Sequence, residues 1–206
     1  MKRIIFLIAF AVLIAGCQQV AEAGEKPIQE VEKMDKGKIL IIVSQEDYQP
    51  VEYKDTRDEL EKAGYSIDVA SVEQGTAKAI DSSSVKVISV KDASLDDYKA
   101  VAVIGGPGAL SLGESDNFIN LIKEAASKGL VIGAICVSPL NIAKAGVLEG
   151  KKATVWCDAE KSQGRELEGY GAEFVDEPVV VDGRTITANG PSAAKDFGKK
   201  IAEVLG

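Results

Sequence analysis

The residues best placed to do chemistry lie in Gly133-Ala134-Ile135-Cys136-Val137-Ser138-Pro139. The apolar run Leu130–Ile135 reads as a buried strand, and Leu140–Ala145 as a helix closed by Gly146. Cys136 therefore stands where a strand turns sharply into a helix. That is the geometry of a nucleophile elbow, with cysteine in place of serine. The positive end of the following helix favours thiolate over thiol. The alternative is a small core cysteine, because free cysteine is among the most buried residue types.

The groups available to serve such a thiol are narrowed by what is missing. The chain has 206 residues and no histidine. A Cys-His or Ser-His nucleophile and a histidine metal site are thereby excluded within it. The three cysteines, Cys17, Cys136 and Cys157, match no zinc spacing, so neither metal nor cofactor is expected. A net charge of −8 argues against a nucleic-acid footprint.

The elements that would position the thiol follow from the hydrophobic pattern. Lys38–Val43 is a continuous apolar run, hence a strand buried on both faces. A helix is expected from Pro50 to Lys62, stopped by Ala63-Gly64, and a second strand over Tyr65–Ala70. This is a βαβ unit and requires a parallel pair. Strands are expected over Val85–Val90, Ala100–Ile104 and Lys152–Trp156. Pro178–Asp182 and Arg184–Ala188 read as two strands around a tight turn at Gly183. Further helical segments are expected over Ser94–Tyr98 (a single turn), from Ser115, over Asp158–Tyr170 and over Ser192–Leu205. Alternating strands and helices give an α/β sandwich with a mostly parallel sheet. In such a sheet, ligands bind at the carboxyl ends of the strands. There Ser44–Glu52 brings a carboxylate, Gly105-Gly106-Pro107-Gly108 brings backbone N–H groups, and the elbow brings the thiol.

Ahead of this domain, Lys2-Arg3, the apolar run Ile4–Ala15 and Ala15-Gly16-Cys17 have the form of an export signal. The apolar run is shorter than the roughly 20 residues a membrane span needs. Ala-Gly-Cys resembles a prokaryotic lipobox, which implies cleavage before Cys17 and lipidation of its thiol. On that reading residues 1–16 are a lipoprotein signal peptide, and residues 17–37 form a flexible polar tether. Residues 38–206 are then the working domain, exported and lipid-anchored to an envelope membrane.

Several separated motifs resemble the ThiJ/PfpI (DJ-1) superfamily in the order this chain presents them. They are Lys38–Val43 with Glu52, Ala63-Gly64-Tyr65, Val103–Gly106, Ala134–Pro139, Ala145–Lys152 and Asp176–Gly183. The resemblance implies a flavodoxin-like three-layer sandwich and a homo-oligomer. It implies that Cys136 is the nucleophile and Glu52 its carboxyl partner, and that the amides of Gly106 and Val137 form the oxyanion hole. Gly105 and Gln49 fall within the implied pocket, and Gln49 stands where many relatives carry an acid. Trp156 is expected in the core or on a pocket wall.

Two departures shape the functional expectation. Protease-like members place histidine directly after the cysteine, where this chain has Val137, so peptidase activity is not expected. Cys157 falls near the expected site, where it would pair with Cys136, resolve a sulfenic acid on it, or remain an unpaired thiol. Three functions stay open: a cofactor-free glyoxalase/deglycase-like or hydrolytic enzyme acting on small reactive carbonyls, a redox sensor or stress-protective protein, and an inactive binding lipoprotein.

Overall fold

A computed structural model describes residues 35–206. The strands are β1 (Lys38–Ile42), β2 (Ser66–Ser71), β3 (Gly75–Lys78), β4 (Ser84–Ser89), β5 (Tyr98–Val103), β6 (Val131–Ile135), β7 (Lys152–Ala153), β8 (Glu173–Phe174), β9 (Val179–Asp182) and β10 (Thr185–Ala188). The helices are α1 (Pro50–Lys62), α2 (Asp116–Ser127), α3 (Ser138–Lys144), α4 (Ser162–Gly169) and α5 (Ala194–Leu205). Eight strands form one sheet in the order β3-β4-β2-β1-β5-β6-β10-β9. The six inner strands run parallel, and β3 and β9 close the two edges antiparallel.

The central strands are apolar on both faces because helices cover both. Ile39 and Ile41 of β1 pack with Leu60 of α1 and with Phe197 and Ile201 of α5. Leu40 and Ile42 belong to the opposite core, with Phe118 and Ile122 of α2 and Leu140 of α3. This is the alternation of a strand sandwiched in a three-layer fold. Gly133 lets α5 approach β6 closely: a Cβ there would lie 2.7 Å from Ile201 Cδ1 and 2.8 Å from Phe197 Cζ.

The sheet order reverses between β1 and β5, which go out to opposite sides. The loops after these two strands therefore splay apart and leave a crevice at their carboxyl ends. Both are tied down beside it. Gln49 caps α1 by accepting from Val51 N at 3.3 Å, and its own N–H donates to Gly105 O at 2.9 Å. Ser115 caps α2 through Phe118 N at 3.4 Å.

Some expectations differ from what forms. Gly75–Lys78 pairs with β4 as a hairpin that no apolar periodicity announces. Only Lys152-Ala153 of the expected strand 152–156 pairs, in a separate two-stranded sheet with β8. The outer side of β6 is already occupied by β10, so Thr154 N bonds instead to Thr187 Oγ1 at 2.9 Å. Helix α4 starts at Ser162 rather than Asp158. Asp158 turns its carboxylate back onto Ser162 N at 2.8 Å, and Lys161 adopts φ 57°. Pro107–Glu114 coils into 3-10 turns, and α5 begins after one more such turn at Pro191–Ala193. The signal-peptide and lipidation readings, including Cys17, lie outside the described residues. Among the described residues, no helix is long and apolar enough to cross a membrane.

Candidate functional site

Cys136 has φ 64°, a left-handed conformation that a side chain adopts only against steric cost. The surroundings hold it there from both sides. Its N–H donates to Ala188 O at 2.9 Å, and its carbonyl accepts from Trp156 N at 2.8 Å. The strained turn lifts the thiol off the end of β6 toward the crevice between β1 and β5.

Glu52 meets it there from the first turn of α1. The carboxyl is fully buried, and Oε2 accepts from Gly105 N at 3.0 Å. Oε1 is buried and accepts no hydrogen bond. Glu52 and Cys136 interact side chain to side chain, and the amides of Gly106 and Val137 face the sulfur. Glycine is required at 105, where a Cβ would collide with Cys136 Cβ and lie 2.8 Å from Glu52 Oε2. It is also required at 106, where φ is 115° and a Cβ would lie 2.5 Å from Asp47 O.

Burial controls the electrostatics. It lifts Glu52 from 4.5 to about 7, against the opposing bonds from Gly105 and Cys136. Burial, followed by the charge of Glu52, pushes the Cys136 thiol up to about 12, while the Gly106 and Val137 amides pull it down. The thiolate expected from helix α3 alone is thus overturned while Glu52 is ionised. Desolvation outweighs the dipole of a seven-residue helix. The two groups titrate as a pair that tolerates one negative charge and resists a second. The ionised Glu52 is a base beside the thiol, and the sulfur becomes nucleophilic as its proton passes to that carboxylate.

Of the residues singled out by sequence, Glu52, Gly105, Gly106, Cys136 and Val137 converge. Gln49 touches the site through its backbone and serves as a helix cap. Trp156 is 43% exposed and so is no core residue; its backbone braces Cys136, and its Cδ1 lies 3.7 Å from where a Cβ on Gly190 would be. Cys157 stands apart. Its neighbours are Gly164, Asp176, Asp158 and Lys161, and it packs against the α2–α3 core, whereas Cys136 packs against the α1–α5 core. Both thiols are free. Sequence reasoning missed Ala188, Ser138 and Asn141. Only Ser138 carried a signal, as a small hydroxyl inside the elbow motif.

Beside the site, a crevice of about 470 Å³ is lined by Glu46, Asp47, Gly108, Ser111 and Glu114 among others. Three of these are carboxylates, and none of Glu52, Gly105, Gly106, Cys136 or Val137 lines it. Among the described residues no three His, Cys, Asp or Glu side chains converge as a metal ligand set.

Comparisons with known proteins agree with this fold. An uncharacterized protein of Methanocaldococcus jannaschii is 34% identical over 208 residues, covering 100% of this chain and 98% of its own length. The glutathione-independent glyoxalase DJR-1.2 of Caenorhabditis elegans is 29% identical, covering 81% of this chain and 87% of its own. The crystal structure of Drosophila melanogaster DJ-1beta superposes with a TM-score of 0.75 at 31% identity, over 84% of this chain and 91% of that one. The DJ-1/PfpI family model matches residues 37–204. A cysteine elbow on a mostly parallel α/β sheet, matched by that model over nearly all of the described domain, means that this chain belongs to the DJ-1/PfpI family.

Proposed function

We propose that this protein is a cofactor-free enzyme acting on small reactive carbonyls, with glyoxalase- or deglycase-like chemistry. The observation that carries the proposal is the buried Glu52 carboxyl beside Cys136, with the Gly106 and Val137 amides facing the same sulfur. The likeness to a glutathione-independent glyoxalase supports it.

With methylglyoxal the steps balance as follows. Glu52 takes the thiol proton as the sulfur adds to the aldehyde carbon and passes it to the oxyanion, which the two amides hold, giving a hemithioacetal. The Glu52 carboxylate then moves a proton from that carbon to the neighbouring carbon, while the hydroxyl proton passes to the neighbouring oxygen. This internal oxidation and reduction leaves a thioester of a hydroxy acid. Water hydrolyses it, releasing lactate and restoring the thiol. In a chain without histidine, Glu52 is the acid and base of each step.

Purified protein is expected to convert methylglyoxal to lactate, and Cys136→Ala to lose that activity. Turnover undiminished in Cys136→Ala would refute the proposal, as would no turnover at all. A second reading is a redox sensor, favoured by the same amides, which would hold the oxygens of a sulfinate on Cys136. Mass spectrometry after mild peroxide separates the two thiols, and equal oxidation of Cys136 and Cys157 would count against that reading. We further propose lipid anchoring through Cys17, resting on the sequence pattern of residues 2–17, and assembly as a homo-oligomer. The mass of the mature N-terminal peptide tests the first, and light scattering tests the second.

A further inference from the structure

A polar side chain buried in an apolar core costs free energy unless it is hydrogen-bonded, so each one calls for an account. Helix α3 carries two, Ser138 and Asn141, both fully buried. Three residues apart, they share one face of the helix. Both reach the same short stretch of main chain. Ser138 Oγ donates to Ile104 O at 2.8 Å, and Asn141 Nδ2 donates to Ala109 O at 2.7 Å. Those two carbonyls bracket Gly105–Gly108, the segment that supplies the amide bound to Glu52 and the amide of Gly106.

Packing alone does not explain this pair. Asn141 leaves its Oδ1 buried without a partner, a cost that leucine would avoid in the same space. The loop needs holding, because Gly105 and Gly106 are there for steric reasons and glycine is conformationally free. These bonds enclose the site: Ser138 bonds to Ile104, Gly105 bonds to Glu52, Glu52 interacts with Cys136, and two residues of chain lead from Cys136 back to Ser138.

We propose that Ser138 and Asn141 are positioning residues, through which the helix that follows Cys136 clamps both ends of the Gly105–Gly108 loop and holds the Gly106 N–H against the sulfur. The proposal rests on the Gly106 amide serving that sulfur, as in the function proposed above, yet it is tested without turnover. The assay is the rate of Cys136 alkylation by iodoacetamide from about pH 6 to about pH 10, read by peptide mass spectrometry, with Cys157 of the same molecule as internal control. Ser138→Ala and Asn141→Leu are each expected to slow Cys136 alkylation about fivefold at every pH in that range, as losing one hydrogen bond to the sulfur would. Cys157 is expected to react as before. Ser138→Thr keeps the hydroxyl and should restore the original profile.

Gly113→Ala provides an independent route, because its Cβ would lie 2.7 Å from Asn141 Oδ1 and displace that side chain without entering the site. It should reproduce the Asn141→Leu profile. If Ser138→Ala or Asn141→Leu fails to fold, Ser138→Thr and Gly113→Ala decide. Unchanged profiles in the Ala and Leu variants would overturn the clamp, as would Ser138→Thr behaving like Ser138→Ala or Gly113→Ala matching the parent protein. Methylglyoxal turnover, measured separately, judges the enzymatic reading. Its absence in the parent protein would leave the alkylation result standing.

Discussion

Glu52→Gln should make the protein more stable at neutral pH while removing its chemistry. The buried carboxyl has its pKa raised from 4.5 to about 7, chiefly by burial. In the unfolded chain it ionises near 4.5, and in the folded chain only near 7. Between those values the folded state holds a proton that the unfolded state has released. Stability therefore falls as pH rises through this window, and the loss levels off above about pH 7. The interval from 4.5 to about 7 corresponds to roughly 3 kcal/mol. Glutamine keeps an oxygen for the Gly105 N–H and an N–H for the sulfur but cannot ionise, so its stability should be flat across the window. The assay is urea unfolding of both proteins at about pH 4.5, 6 and 7.5, below the range in which thiols titrate. The curves should lie within about 1 kcal/mol of each other at the acid end and diverge by roughly 3 kcal/mol at the alkaline end, glutamine above. Parallel stability–pH curves would refute the claim that Glu52 is the buried acid. In the same variant, methylglyoxal turnover should fall by about 10²–10⁴, the usual effect of removing a general acid–base.

Further outcomes follow from the same contacts. Gly105→Ala should abolish the chemistry, because its Cβ collides with Cys136 Cβ; methylglyoxal turnover within about twofold of the parent would refute this, since a displaced nucleophile costs far more. Gly133→Ala places a methyl group 2.7 Å from Ile201 Cδ1 and should destabilise the fold, by about 1–3 kcal/mol on urea unfolding, while leaving the crevice intact. Cys157→Ser should leave turnover and the Cys136 alkylation profile unchanged, since Cys157 packs against the opposite core; altered Cys136 reactivity would show coupling between the thiols.

Much of the fold can be read from local sequence because its signals are local. Apolar runs at 38–43, 100–104 and 130–135 can only be strands covered on both faces, and they are. Pro50 and Ser115 begin α1 and α2 as their capping chemistry requires. Gly75–Lys78 carries no such signal, and only its pairing with β4 makes it a strand. Residues 152–156 carry the signal of a strand but are denied most of it, because β10 already occupies the edge of β6.

The site divides in the same way. Sequence alone determined that a cysteine stands at a strand-to-helix elbow, that glycines follow β5, and that no histidine is present to activate the thiol. Tertiary structure decided what those facts amount to. It brought Glu52 from α1 into the dry space beside the sulfur, where burial, a property of the whole fold, reverses the thiolate preference expected from helix α3. It set Cys157 against a different core from Cys136. It also turned Ser138, a small hydroxyl of the elbow motif, and Asn141 toward the two carbonyls that bracket the glycine loop. Hydrogen bonds between residues 34 and 32 positions apart exist only once the sheet has ordered its strands.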